Sequence, residues 1–240
     1  MKIAISGARG LLGWHAAARL HAANCAARFR GEPLPYELAC LDHAGFEEDG
    51  ALDAAVSGAA AVLHFAGVNR GPDEEVEAGN PAIAQRLADA CARTRSTPHI
   101  VYANSIHAQG DTPYGRSKRI AGEILAASAG QYSQLILPHI FGECARPYYN
   151  NVTATLIDRI WNGEEPTINP EGRVSLLHAG AAADLAIGAA LGQWSGTATP
   201  AGRDLSIADL YARLAGFHRL YGSGVFPVLD DRFDLALFNS

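Results

Sequence analysis

Lysine is nearly absent from this chain: Lys2 and Lys118 are the two lysines among 19 basic side chains, so a lysine kept inside a motif needs a reason. Cysteine is sparse. Cys25, Cys40, Cys91 and Cys144 stand far apart with no Cys-x-x-Cys pair, which excludes a zinc knuckle and a disulfide scaffold and reads as buried free thiols. No run of about 18 uncharged apolar residues occurs, since even the Ala-rich segment from Leu176 to Leu191 carries His178 and Asp184; a membrane span is excluded. Basic charge is in deficit as well. A net charge of −6 and a pI near 5.8 give no electrostatic footprint for nucleic acid or an anionic membrane. Met1 to Gly7 lacks the apolar stretch of a secretory signal, and the compartment is read as cytoplasmic. What is present, 240 residues with 48% hydrophobic and 18% charged, fits one soluble globular domain with a sizeable core.

The apolar pattern alternates strand and helix. Residues 2–6 read as a short buried strand, followed by a glycine loop and a helix from Leu11 to Arg28. Further strands are expected at Glu37 to Leu41, Ala61 to Phe65, His99 to Ala103 and Gln134 to Leu137, with helices at Pro81 to Thr94 and Tyr114 to Ala129. That rhythm implies an α/β fold with a Rossmann-type, doubly wound parallel sheet. After Pro138 it changes: a helix is expected near Val152 to Trp161, a strand at Arg173 to Leu177 and a helix at Ala181 to Leu191. Ser206 reads as the N-cap of an amphipathic helix whose Ile207, Leu210, Tyr211, Leu214 and Phe217 form a core-facing stripe. The expected organisation is a single domain, with residues 1–142 mainly dinucleotide-binding. Residues 143–240 are expected mainly to form a small C-terminal substrate-binding lobe, over the carboxyl ends of the strands, together with returning Rossmann elements.

Between the first strand and helix lies Gly7-Ala8-Arg9-Gly10-Leu11-Leu12-Gly13, a G-x-x-G-x-x-G element. There Gly7 makes the tight turn, Gly10 lets backbone approach a pyrophosphate, Gly13 permits close helix–strand packing, and the helix N-terminus offers N–H groups to an anion. Ordinary loop glycines would need no such context, and the context is present. The signs for NAD against NADP conflict: Asp42, at the end of the second strand, suits a ribose hydroxyl, whereas Arg9 suits a 2'-phosphate. Either is equally consistent with a solvated surface charge. Ala66 and Gly67, after the third strand, are small enough to let backbone approach the same cofactor.

Tyr114-Gly115-Arg116-Ser117-Lys118 opens a helix, and the i, i+4 spacing places a phenol and an ammonium on one face. A phenol titrates near 10, and a neighbouring Lys⁺ favours its ionised form, so Tyr114 is a candidate general acid or base. Lys118 is also a candidate for holding a nicotinamide ribose. Ser105, just beyond the fourth strand, is placed to align a substrate oxygen with Tyr114. His107 reads as a loop histidine rather than a second proton carrier.

Taken together, Leu63 to Arg70, Glu77 to Asn80, Pro113 to Lys118, Pro138 to Gly142 and Tyr149 to Thr155 resemble the extended short-chain dehydrogenase/reductases, the NAD-dependent epimerase/dehydratase family, over almost the whole chain. Within it they are most similar to the reductase part of capsular-polysaccharide enzymes acting on a UDP-linked 4-keto-6-deoxy-hexosamine. The nine-residue spacing from Ser105 to Tyr114 fits that branch. The resemblance implies Ser105, Tyr114 and Lys118 as the catalytic set, NADP or NAD as cofactor, no metal, and His139, Arg146, Tyr149 and Asn150 near a UDP-sugar. Arg146 suits a diphosphate or a surface ion pair equally. A homodimer is an expectation of the same kind.

Two departures stand out. The branch usually has asparagine where this chain has His139, and its full-length members continue into a cupin-type domain that is not expected here. The implied activity is reduction of a UDP-linked 4-keto-6-deoxy sugar for surface polysaccharide. A UDP-sugar 4-epimerase with retained NAD, using the same residues without net redox change, and a non-enzymatic dinucleotide sensor remain alternatives. A 4,6-dehydratase fits poorly, because Ile106 and His107 stand where that reaction needs an acid pair.

Overall fold

The computed structural model describes residues 1–240, and its elements alternate as the apolar pattern predicts. β1 (Lys2–Ser6), α1 (Leu11–Phe29), β2 (Glu37–Leu41), α2 (His43–Glu47), α3 (Asp49–Val56), β3 (Ala61–His64), α4 (Asp73–Thr94), β4 (His99–Ser105), α5 (Pro113–Ser128) and β5 (Gln131–Leu137) are followed by β6 (His139–Phe141), α6 (Val152–Trp161), β7 (Arg173–His178), α7 (Ala179–Ala190), β8 (Gly196–Ala198), β9 (Arg203–Ser206), α8 (Ile207–Gly222) and α9 (Arg232–Phe238). The chain forms two compact units: Met1–Leu137 with Gly180–Thr199, and Pro138–Ala179 with Pro200–Ser240.

The first unit holds a six-stranded parallel sheet in the order β2-β1-β3-β4-β5-β8. Parallel strands require crossovers and are covered on both faces, which is why β1, β3 and β4 read as near-continuous apolar runs. Leu52, Val56, Leu87, Ile100, Tyr102 and Leu125 form a core beneath α3, α4 and α5. Each fully buried Leu or Ile there contributes roughly 1.5–3 kcal/mol over the exposed side chain. The strand order reverses between β1 and β3, and open α/β sheets bind ligands outside the carboxyl ends of the strands at such a switch point. The glycine loop leaves β1 at that place.

The second unit holds a three-stranded sheet in the order β6-β7-β9, with β6 and β7 parallel and β9 antiparallel. Its core gathers Phe141, Leu156, Leu176, Leu205, Leu210, Leu214 and Leu237. Ile207, Tyr211 and Phe217 of the expected α8 stripe pack against it. Ser206 caps α8 by accepting from the Asp209 N–H at 3.0 Å, as its sequence signature indicated.

Some boundaries differ from expectation. Helix α4 begins at Asp73, so Pro81 lies inside it; proline favours a first helical turn, and that preference misplaces the boundary. Ser105 is the last residue of β4 rather than a residue beyond it. Of the four free cysteines only Cys91 is buried, while Cys25, Cys40 and Cys144 are exposed. A thiol on the outward face of a helix, on an edge strand such as β2 or in a surface loop meets little of the core, whatever its hydrophobicity. No helix is long and apolar enough to cross a membrane.

Candidate active site

The glycine loop is built around missing side chains. Gly7 has φ +70°, a conformation glycine adopts without steric cost, and a Cβ there would stand 2.8 Å from the Ala66 backbone nitrogen. A Cβ on Gly13 would collide with the Gly7 carbonyl, so α1 can approach the loop only with glycine at this position. Gly10 is the N-cap of α1; no side chain caps the helix, and its first turn holds no acid. An uncapped N-terminus behind a backbone-only cradle fits a pyrophosphate: aligned N–H groups and the positive dipole end face an anion that brings its own acceptors. Leu11 and Leu12 supply the first N–H groups of that helix.

Arg9 and Asp42, which argue for different cofactors in the sequence, meet as an ion pair with Nε 3.3 Å from Oδ2. Asp42 also caps α2, accepting from the Gly45 N–H at 3.0 Å. That backbone bond is the main reason its carboxyl sits below the ordinary range, with Arg9 adding in the same direction. The two residues therefore form one polar unit at the end of β2. Ala66 and Gly67 follow β3, and the Ala66 N–H reaches Ser6 Oγ at 3.4 Å.

Helix α5 starts where Thr112 accepts from the Gly115 N–H at 3.0 Å and Pro113 takes the first helical turn, a local signal strong enough to fix the frame of Tyr114. Arg116 ties this start to α4 through both carboxylate oxygens of Glu77, at 2.6 and 3.1 Å, and to Asp111 through its carbonyl at 2.7 Å. Ser105 closes β4, accepts from the His107 N–H at 3.2 Å, and lies near enough to the Tyr114 phenol to favour its ionised form. Burial raises the Tyr114 phenol above its ordinary value, and Ser105 works against that rise.

Lys118 is almost fully buried, and burial lowers its ammonium from 10.5 to about 7. Its Nζ donates to the Ala103 carbonyl at 2.7 Å and lies 4.2 Å from the centroid of the Tyr102 ring. Beneath it, His64 Nδ1 and Ser6 Oγ are 2.7 Å apart. Burial, followed by the charge of Lys118, takes His64 down to about 3, so this imidazole is neutral at working pH.

The sequence assigns no role to Asn80, His64, Ser6 or Tyr102, although Asn80 and His64 lie in segments that carry the family resemblance. Asn80, on α4, accepts from the Val68 N–H at 3.1 Å, and its Nδ2 donates to the Val68 carbonyl at 2.7 Å and to Ser117 Oγ at 2.9 Å. One buried amide thus locks the loop after β3 to the helix carrying Tyr114 and Lys118. The available signal was polarity in the wrong place: Ser6 and His64 end otherwise apolar strands, and a buried polar group needs partners.

His139, Arg146, Tyr149 and Asn150 belong to the second unit. His139 opens β6 and is half-buried. The Arg146 guanidinium lies 5.6 Å from the centre of the Tyr149 ring, and Asn150 holds φ +51°. Asn151 caps α6, accepting from the Ala154 N–H at 3.0 Å and donating to the Ile140 carbonyl at 2.9 Å. The structure therefore brings together the glycine loop, Asp42, Ala66, Gly67, Ser105, Tyr114 and Lys118 in one unit, and the four residues expected near a sugar in the other.

Residues 3–191 match the sequence profile of the NAD dependent epimerase/dehydratase family. The chain belongs to that family. Over 166 residues, 67% of this chain and 41% of the relative, it is 31% identical to the UDP-2-acetamido-2,6-beta-L-arabino-hexul-4-ose reductase of Pseudomonas aeruginosa. The capsular polysaccharide assembling protein CapF of Staphylococcus aureus shares the structure with a TM-score of 0.82 and 26% identity, covering 100% of this chain and 64% of CapF. A UDP-N-acetylglucosamine 4-epimerase of Methanobrevibacter ruminantium has a TM-score of 0.75 at 17% identity, covering 99% and 96% of the two chains; at that identity it is a likeness of fold. This family member spans less than two thirds of the length of the Pseudomonas and Staphylococcus proteins.

Proposed function

We propose that this chain is an NAD(P)-dependent reductase of a UDP-linked 4-keto-6-deoxy sugar, working in the supply of a surface-polysaccharide precursor. The observation that carries the reading is the grouping of Ser105 at the carboxyl end of β4 with Tyr114 and the buried Lys118 on α5, the lysine one helical turn beyond Tyr114 and bonded to the Ala103 carbonyl of β4, in the unit whose switch point holds the glycine loop. The Pseudomonas relative, a UDP-2-acetamido-2,6-beta-L-arabino-hexul-4-ose reductase, supports the substrate class, and the Staphylococcus capsular polysaccharide assembling protein supports the polysaccharide setting.

In this reading Gly7, Arg9, Gly10, Leu11, Leu12 and Gly13 hold the pyrophosphate and adenosine side of the dinucleotide, with Asp42, Ala66 and Gly67 beside them. Tyr114 and Lys118 hold its nicotinamide side. A bound reduced nicotinamide supplies the hydride. The chain's own residues manage the oxygen: Ser105 donates a hydrogen bond to the C4 carbonyl, and Tyr114 delivers its phenolic proton to that oxygen as charge develops there. A phenol held protonated by burial suits an acid, and Ser105 is the group that eases its ionisation at the moment of transfer. His139, Arg146, Tyr149 and Asn150 would hold the nucleotide sugar, with His139 adapting the site to a sugar different from that of asparagine-bearing relatives.

The test is the loss of reduced-nicotinamide absorbance on mixing the protein with a UDP-4-keto-6-deoxy-N-acetylhexosamine, with NADH and NADPH in parallel. Wild type should oxidise one of them, and Tyr114→Phe should bind cofactor yet lose activity by at least about 100-fold. Undiminished turnover in that variant overturns the assignment of Tyr114. Cofactor that stays bound and is never consumed would instead favour a 4-epimerase.

A further inference from the structure

We propose that Tyr102 is a positioning residue for Lys118: its ring face and the Ala103 carbonyl together fix the lysine ammonium beneath the carboxyl end of β4. The inference rests on the reading of Lys118 as a cofactor-holding residue, but its test does not.

The geometry is specific. Tyr102 is 1% exposed and packs in the core between β4 and α5, where the Lys118 Nζ stands 4.2 Å from its ring centroid. An ammonium has three N–H donors, and the single backbone acceptor, Ala103 at 2.7 Å, leaves the side chain free to swing about that bond. A π face on the other side removes that freedom. The attraction between an ammonium and the ring quadrupole is also strongest where water is excluded, as it is here.

The same face explains how a cation tolerates this burial with no carboxylate beside it. The titratable groups around Lys118 within the first unit are His64 from β3, Tyr102 from β4 and Tyr114 from its own helix. His64 is held neutral, and burial pushes both phenols above their ordinary range. None supplies a negative charge. The ring of Tyr102 and the Ala103 carbonyl supply the compensation. The Tyr102 hydroxyl adds little, since its contact with the Lys118 carbonyl is 3.5 Å, at the limit of a hydrogen bond. The ring, rather than the phenol, is the working part.

Having only two lysines makes the test direct. With lysine labelled at ¹³Cε, the protein gives two lysine signals, and the one from Lys118 titrates separately from Lys2, whose Nζ is exposed and bonded to the carbonyls of Ala54 and Ser57. Tyr102→Phe should keep the Lys118 midpoint within a few tenths of a pH unit of wild type. Tyr102→Leu should lower it by about one pH unit, as loss of a desolvated cation–π contact predicts. Kinetically, the limb of the pH–rate profile due to Lys118 should move with the midpoint, and kcat should fall more than cofactor KM rises. If Tyr102→Leu does not fold, trifluorophenylalanine at position 102 replaces it, because fluorination weakens the quadrupole at nearly constant volume; the midpoint should again fall. An unchanged midpoint in a folded Leu or fluorinated variant overturns the proposal. A moved midpoint in a protein that shows no reductase activity upholds the positioning role and sinks only the assigned reaction.

Discussion

Two of the loops that hold backbone with positive φ do so largely by opposite means. In the first unit Gly7 takes φ +70° with no side chain to object, and the whole turn depends on absent Cβ atoms at Gly7 and Gly13. In the second unit the segment after β6 carries Cys144 at +70°, Tyr148 at +58° and Asn150 at +51°, non-glycine residues in the left-handed region. That conformation costs an ordinary residue roughly 1–2 kcal/mol, so surrounding bonds must hold it. Several do: the Tyr148 N–H donates to Thr155 Oγ1 at 2.9 Å, the Tyr148 hydroxyl to Asp158 at 2.9 Å, and Asn151 ties the segment to β6 and α6. The first loop is a cradle made by deletion. The second is a strained segment made by side-chain clamps, and strain of this kind gathers at ligand sites.

The largest effect should come from filling the cradle. Gly13→Ala puts a methyl against the Gly7 carbonyl and the Ala8 Cα. Dinucleotide affinity should fall by at least about 100-fold and stability by about 2–3 kcal/mol, read by fluorescence titration and denaturant melts. Affinity within twofold of wild type would mean that the loop does not hold the pyrophosphate.

Next in size is a pH effect that belongs to the first unit alone. Burial takes Lys118 from 10.5 to about 7, so between those values the unfolded chain carries a proton that the folded chain has released. Folding is therefore penalised below that window and relieved as pH rises through it, with a slope of at most about 1.4 kcal/mol per pH unit. Lys118→Met removes the group from both states. Melts across the window should lose the slope, and a slope that persists belongs to another residue.

The smallest effect tests the second loop. Cys144→Gly relieves a left-handed residue whose side chain is exposed, and should raise stability by about 0.5–1 kcal/mol, or roughly 1–4 °C in melting temperature. A loss would show that the thiol itself anchors the loop and that the left-handed backbone at this position is unstrained.

Much of the first unit was legible in the chain. Its central strands β1, β3 and β4 are buried on both faces and therefore nearly continuous apolar runs, and its helix starts carry local signals such as Thr112-Pro113 before Tyr114. Other parts were not. The short α2 and α3 have no long periodic stripe, and α4 runs through a proline that a sequence reader takes for a start. Asn80 was invisible as a functional residue because its value lies in its partners, Val68 and Ser117, which are distant in sequence. Arg9 and Asp42 read as rival signals, whereas in space they are one ion pair.

The sequence by itself determined the parallel α/β frame, the glycine loop and the order of Ser105, Tyr114 and Lys118, because periodicity, glycine and helix-start chemistry act over a few neighbouring residues. Only the tertiary structure decided what those residues meet. It set Ser105 against the Tyr114 phenol and placed the Lys118 ammonium over the Tyr102 ring. It also joined Gly180–Thr199 to Met1–Leu137 across an intervening unit. Burial and long-range pairing act between residues that the chain keeps far apart, and those contacts decide which groups carry charge.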